Sequence, residues 1–217
     1  MDYTLSYSQA SSHYIDIKVE AKNHGKEKLQ FQLPAWRPGR YELGNFAKNI
    51  QRWKAFDQDG ILLPSKKLTK DLWEVDCKGV EKVIIEYNYF AHELNAGSTY
   101  LDEEQLYVNP VNCMIYQPER AGEECLVNLN LPEDYNVAIA LEEVDDRVFK
   151  AKNFDELADS PFIASANLQH HEFNEKGTTF HLWFQGLFKA NWEKIEKDFR
   201  AFAAEQIKFF GDFPTKN

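Results

Sequence analysis

Two His-Glu pairs come close to a zinc-binding peptidase motif. They are His92-Glu93 and His171-Glu172. An H-E-x-x-H helix places two histidines on one face to bind zinc, and its glutamate acts as the general base. The second histidine is missing in both places, because position 96 is alanine and position 175 is glutamate. We therefore predict that this chain holds no metal ligands and no catalytic residue of this type.

The histidines near the second pair lie in a segment that favours a β-strand. Within residues 168–174, His170 and His171 would then point to opposite sides of the sheet. His181 falls on the next predicted strand, and we expect it to be a surface histidine rather than a general base.

The three cysteines, Cys77, Cys113 and Cys125, are widely spaced and form no C-x-x-C pair. This pattern favours buried free thiols in a reducing compartment, so we expect a cytoplasmic protein. One hypothesis is that Cys113 or Cys125 is a nucleophile, which requires a histidine within hydrogen-bonding distance of the thiol. No G-x-S-x-G motif is present, and the Gly39–Gly44 spacing lacks the lysine of a phosphate-binding loop.

An unusual cluster of aromatic and cationic residues begins after Leu33. Pro38 and Gly39 favour a type II turn, because proline presets φ at its second position and glycine allows a positive φ at its third. Two aromatics and two arginines surround this turn, so the segment could be a docking surface or a packed corner with cation–π contacts. The motif consists of Trp36, Arg37, Pro38, Gly39, Arg40 and Tyr41.

The elements that must position these residues are mainly β-strands. Apolar residues alternate with polar ones over 13–21, 29–33, 83–89 and 125–131, which is the period of a half-buried strand. Turn residues separate the segments. We predict a mostly β fold, an antiparallel β-sandwich or saddle-like domain.

Two helices are predicted to interrupt the strands. The first covers about 154–159, with Asn153 as its N-cap and Pro161 after its end. The second covers about 191–210 and has an aromatic stripe that needs a partner surface. We predict a β-rich domain over 1–188 and the start of a truncated helical catalytic domain over 189–217.

The overall charge and hydropathy exclude some partners. The 217 residues carry a net charge of −10, which disfavours nucleic acid as a partner. Residues 36–70 are locally basic, with eight Lys and Arg against three Asp and Glu, and could face an anionic group, another domain or water. We expect no membrane span and no secretory leader, since no long apolar run is present.

Three stretches of the sequence resemble the N-terminal domain of the glycyl aminopeptidase family of zinc metallopeptidases. The first is the run from Pro34 to Tyr41. The second combines residues 87–94 with 100–102 and 107–109, and the third is residues 155–161, which end in Asp-Ser-Pro. They occur in the family's order over nearly the whole chain.

This resemblance implies a β-rich domain that precedes a thermolysin-like catalytic domain, where zinc would be bound. The implied partners are that catalytic domain and a peptide substrate. By analogy, the loop 98–109 would face the cleft, with Tyr100, Asp102 and Asn109 as substrate contacts. The alternative is a stand-alone β-sandwich module that binds peptide or carbohydrate through Trp36, Tyr41 or Trp53.

Overall fold

The computed structural model describes residues 1–211, which form sixteen β-strands and three α-helices. The strands are β1 (Asp2–Ser6), β2 (Tyr14–Lys22), β3 (Lys28–Gln32), β4 (Ile50–Phe56), β5 (Ser65–Thr69), β6 (Leu72–Asp76), β7 (Lys82–Phe90), β8 (Tyr100–Leu101), β9 (Leu106–Val108), β10 (Cys125–Leu129), β11 (Asn136–Ala138), β12 (Glu142–Asp145), β13 (Val148–Ala151), β14 (Phe162–Ser165), β15 (Leu168–Glu175) and β16 (Thr178–Gln185). The helices are α1 (Pro110–Cys113), α2 (Phe154–Ala158) and α3 (Trp192–Phe210).

The strands form four sheets, so the predicted mostly β class is confirmed. The largest sheet has the order β12-β13-β10-β1-β2-β7-β4, and all its pairs are antiparallel except β1 with β10. A second sheet has the order β11-β14-β9-β8, a third β3-β6-β5, and β15 pairs with β16 alone.

The alternation seen in the sequence decides which face of the large sheet is buried. In β2, Ile15, Ile17 and Val19 are buried while the residues between them remain partly accessible. β7 repeats this pattern, and the second and third sheets contribute to the same apolar core. One face of the large sheet is therefore covered by the second and third sheets, and the other face is exposed to solvent.

Two tyrosine hydroxyls connect the large sheet to the end of α1 and the residues just after it. Tyr3 donates to the carbonyl of Ile115 at 2.9 Å, and Tyr87 donates to the carbonyl of Cys113 at 2.6 Å. Burial raises the pKa of both phenols well above the usual value. Both tyrosines thus stay neutral and satisfy carbonyls that water cannot reach.

The short predicted helix is present as α2. The Asn153 side chain accepts from the Glu156 amide at 2.8 Å, as expected of an N-cap. The Glu156 carboxylate reaches back to the amide of Lys152 at 2.6 Å. This is one residue earlier than in a standard capping box.

The C-terminal part has its own small core, formed by the hairpin β15–β16 and helix α3. Its buried apolar residues are Phe173, Leu182, Ala203 and Ile207, and none of them belongs to the main core. The second predicted helix is present as α3, with the Asn191 side chain as its N-cap and Gly211 following it with a positive φ. Residues 212–217 of the predicted second domain lie outside the described residues. No helix within 1–211 has the length and apolarity needed to cross a membrane.

Glu74 lies on the central strand of the three-stranded sheet, and its carboxylate is held by two lysines. Lys28 donates at 3.0 Å, Lys66 lies at 3.2 Å, and Gln30 donates at 3.3 Å. The Lys28 hydrogen bond, followed by those of Lys66 and Gln30, lowers the pKa of Glu74 to about 2. The ionised carboxylate therefore supports the pairing of all three strands.

We expect Glu74→Gln to lower the free energy of unfolding at neutral pH. Because the pKa is lower in the folded state than in the unfolded chain, this contribution is complete above about pH 4.5 and disappears as the pH falls toward 2. Denaturant unfolding of both proteins across this range measures the difference. The exposed Glu133→Gln is the control, and a difference that does not change with pH would contradict the assignment.

Candidate functional site

The predicted turn motif and part of the predicted cleft loop line one cavity of about 450 Å³. The cavity opens beside the end of β7, and the short helix α1 contributes to its wall. We call it the motif cavity. Its lining includes Arg37, Arg40, Glu42, Lys48, Tyr89, His92, Glu93, Gly97, Ser98, Thr99 and Asn112.

The turn in the motif has the predicted geometry. Gly39 has a φ of +87°, and the amide of Arg40 donates to the carbonyl of Arg37 at 3.4 Å. Trp36 and Tyr41 stack on each other with ring centroids 6.3 Å apart, and both remain exposed. The turn thus displays two aromatic rings to solvent.

Of the two alternatives for this motif, the packed corner with cation–π contacts is not formed. Within residues 1–211, cations lie over aromatic rings at Lys67 on Trp73 and at Arg200 on Phe173. Arg40 instead pairs with the carboxylate of Glu42. The nearby carboxylate is the stronger partner for the guanidinium, which leaves the rings to each other.

Arg37 connects the motif to the loop before β8. Its guanidinium lies against Gly97 so closely that a Cβ at this position would collide with it. Its charge also acts on Tyr107, whose pKa is raised by burial and partly lowered again by Arg37. A glycine at position 97 therefore provides the space for this arginine.

Two buried asparagines donate hydrogen bonds to backbone carbonyls of the loop before β8. Asn109 donates to the carbonyl of Ala96 at 3.1 Å, and Asn112 donates to that of Gly97 at 2.9 Å. The Oδ1 of Asn112 is buried and has no hydrogen-bond partner in the described chain. This acceptor is enclosed behind the cavity wall, so it is a buried polar atom without a bond rather than an exposed contact.

The three predicted substrate contacts do not meet at one point. Asp102 lies in the turn between β8 and β9, where its Oδ1 accepts from the amides of Glu104 and Gln105, both at 2.9 Å. A hydrogen bond to Asp102 raises the pKa of the half-buried Tyr100. Asn109 lies beyond the other end of β9 and is buried. None of the three lines the motif cavity, so their role as contacts stays a prediction.

Sequence reasoning did not assign Glu93 and Asn112 to this cavity. In the sequence, Glu93 belongs to a near-match of a metal motif and to the resemblance stretch 87–94, yet in the structure it lines the cavity and its carboxylate accepts from Ser98 at 3.2 Å. Asn112 had no distinguishing sequence signal, because only the tertiary contacts bury its amide. The cavity wall combines Arg37, Arg40 and Lys48 with Glu42 and Glu93, which suits a ligand carrying both charges.

The basic segment 36–70 does not form a single patch. Its first part reaches the motif cavity, whereas Lys66 pairs with Glu74 and Lys67 lies 4.7 Å from the Trp73 ring centre, on the three-stranded sheet. Position in the fold has therefore separated charges that are neighbours in sequence.

The thiols do not have the environment of nucleophiles. Burial raises the pKa of Cys113 to about 12 and also raises that of Cys125. Their sulphurs donate to the carbonyls of Asn109 and Glu123, and no histidine hydrogen bonds to them in the described chain. The hypothesis of a cysteine nucleophile thus finds no support.

The His-Glu pairs do not make a peptidase zinc site. His171 and Glu172 are adjacent on strand β15, so their side chains leave opposite faces. The imidazole of His92 packs against that of His13, with ring centroids 4.0 Å apart. The residues present do not fit the H-E-x-x-H arrangement, which requires a helix.

These features define a β-rich domain with a polar, mixed-charge cavity at the end of its sandwich. The chain belongs to the peptidase M61 N-terminal domain family, whose model matches residues 2–166. No curated protein sequence matches the chain.

The chain is also similar to parts of larger solved structures. An aminopeptidase N family protein from Idiomarina loihiensis has a TM-score of 0.90 and 25% identity; the match covers 99% of this chain and 37% of that protein. An M1 zinc metallopeptidase from Deinococcus radiodurans has a TM-score of 0.45 and 10% identity, over 88% of this chain and 48% of that one. The chain thus spans well under half of the Idiomarina protein.

We expect all three cysteines to resist alkylation in the folded protein. Cys77, Cys113 and Cys125 are buried, and burial raises the pKa of each thiol. Iodoacetamide labelling at neutral pH, read by mass spectrometry, should modify them only after unfolding in denaturant. Rapid labelling of Cys113 in the native protein would contradict this assignment.

Proposed function

We propose that this chain is the non-catalytic N-terminal domain of a zinc-dependent aminopeptidase of the glycyl aminopeptidase type. It would pack against the catalytic domain and help to shape the substrate cleft. The family match supports the class of domain. The observation that carries the packing role is the exposed aromatic face of α3.

Helix α3 covers the hairpin with one side only. Ala203 and Ile207 are buried against it, and Trp192 stacks on His171 with centroids 5.1 Å apart. The aromatic residues beside this buried stripe stay in solvent. These exposed residues are Phe199, Phe202, Phe209 and Phe210.

An apolar face of this size favours burial by another surface. The Idiomarina protein, of which this chain covers 37%, has additional chain that could provide such a surface. We therefore propose the catalytic domain of the same protein as the occupant of this face. Helix α3 would then be the first element of that domain, in keeping with the predicted boundary between residues 188 and 189.

The motif cavity would contribute to the substrate cleft. The amino end of a peptide is a cation, and a carboxylate holds it with a charge-assisted hydrogen bond. We propose Glu93 for this contact in place of Asp102, because Glu93 lines the cavity and Asp102 binds backbone amides of its own turn.

The catalytic zinc of such a protein would be held outside residues 1–211, where it would polarise the scissile carbonyl and activate water. The described residues would bind and orient the peptide and exclude water from its amino end. The three buried free thiols support a reducing compartment, and we propose the cytoplasm.

The alternative is a stand-alone module that binds peptide or carbohydrate. Exposed Trp36 and Tyr41 favour it, but Trp53 does not, because it is half-buried and stacks on Trp73 at 4.4 Å. The exposed aromatic face of α3 disfavours a stand-alone module, because such a module would leave this face in solvent. An H-E-x-x-H motif in the reading frame downstream of residue 217 would support the proposed peptidase, and an immediate stop codon would support the module.

The 217-residue chain, incubated with zinc and an aminoacyl anilide, should show no turnover. It has neither an H-E-x-x-H helix nor an activated thiol in its described part. Release of the chromophoric amine measures the rate, and a zinc-treated heat-denatured sample is the blank. Zinc-dependent hydrolysis by the folded chain would overturn its non-catalytic assignment.

A single engineered thiol tests the packing of α3. Phe202→Cys should react rapidly with a maleimide in the 217-residue chain and slowly in the full-length protein, because Phe202 is 62% exposed here and would be covered there. The native cysteines are buried and add little background.

Val144→Cys on the exposed edge strand β12 is the matched control, and it should react at similar rates in both proteins. Equal fast labelling of Phe202→Cys in the two proteins would contradict the proposed interface.

A further inference from the structure

The outer face of the hairpin β15–β16 gathers two histidines and a glutamate. His170 and Glu172 are two apart on β15 and share this face, and Glu172 lies directly opposite His181 on β16. One ligand atom from each side chain lies within 4.8 Å of the other two. Strand pairing therefore produces a cluster that has no continuous motif in the sequence.

The nitrogen and oxygen atoms of this cluster are close to the spacing that a metal ion needs. The Nε2 of His170 lies 3.0 Å from the Nδ1 of His181, and that nitrogen lies 3.6 Å from the Oε2 of Glu172. Two nitrogens bound to tetrahedral zinc at about 2.0–2.1 Å are roughly 3.4 Å apart. The remaining pair, His170 and Glu172, has ligand atoms within 4.8 Å of each other, and a rotation of the Glu172 side chain that brings its carboxylate closer would admit an ion.

The surroundings hold the ligands in place and do not repel a cation. The indole of Trp183 stacks on His170 with ring centroids 4.1 Å apart, which orients that imidazole. The strand positions on this face of the hairpin carry no lysine or arginine.

The opposite face fixes the hairpin to α3. His171 bonds to Glu196 at 2.8 Å, and Arg200 bonds to Glu175 at 2.7 Å. Arg200 also lies 4.7 Å from the centre of the Phe173 ring. The backbone beneath the cluster is thus held at fixed register.

We propose that His170, Glu172 and His181 form a binding site for a divalent transition-metal ion, with zinc as the reference ion. Two imidazoles and one carboxylate are a ligand set that suits zinc, and three protein ligands leave a fourth position for water or a ligand from another molecule. This site is separate from an H-E-x-x-H centre. It revises the expectation that the chain holds no metal ligands, and it does not depend on the proposed peptidase role.

Zinc titration of the purified 217-residue chain by calorimetry tests the site. We expect one ion per chain, with an affinity that falls by at least about tenfold in His170→Gln, His181→Gln and Glu172→Gln, since loss of an outer-shell partner alone costs that much. The exposed His24→Gln removes one histidine elsewhere and should bind zinc as the natural chain does.

An atom-specific measurement distinguishes this site from scattered binding to surface histidines. In imidazole nitrogen NMR spectra, zinc should shift the Nε2 of His170 and the Nδ1 of His181 while leaving His24 unchanged. All variants replace exposed side chains, and their circular dichroism spectra should match that of the natural chain. Absence of stoichiometric binding, or binding that the three ligand variants leave unchanged, would overturn the proposal.

Discussion

The structure depends on burying one face of the seven-stranded sheet without leaving polar atoms unsatisfied. Burial of its aliphatic residues stabilises the fold by roughly 25 cal/mol for each Å² of apolar surface removed from water. The same burial would leave backbone carbonyls of the segment beneath the sheet without hydrogen-bond partners. Tyr3 and Tyr87 prevent this, because each brings an apolar ring into the core and a hydroxyl to a carbonyl at its far side.

That requirement also shapes the motif cavity. The segment 109–116 runs beneath the sheet, so the amides of Asn109 and Asn112 become buried and bond to loop carbonyls. The loop held in this way presents Gly97 to the Arg37 guanidinium. A packing constraint in the core therefore determines which polar atoms line a cavity at the surface, and it leaves the Oδ1 of Asn112 without a partner.

The hairpin β15–β16 and helix α3 are stabilised differently from the main core. They bury few apolar residues of their own, and charged contacts such as Arg200 with Glu175 and Glu196 supplement this small core. The unit therefore leaves two surfaces with distinct chemistry, the aromatic face of α3 and the His-Glu-His cluster of the hairpin. The first is suited to covering by another domain and the second to a small cation.

The sequence by itself determined strands β2, β3, β7 and β10, helices α2 and α3, the Asn153 cap and the turn at Gly39, because these depend on residue periodicity and local backbone preferences. It also carried the family resemblance, since the motif residues are contiguous. Only the tertiary structure decided that Asp102 caps its own turn while Glu93 reaches the cavity. It also decided that His170 and His181 lie side by side. These outcomes depend on strand register and on competition for nearby partners, as when Arg40 takes Glu42 rather than an aromatic ring. Distances between residues far apart in the chain arise from packing, and no local pattern encodes them.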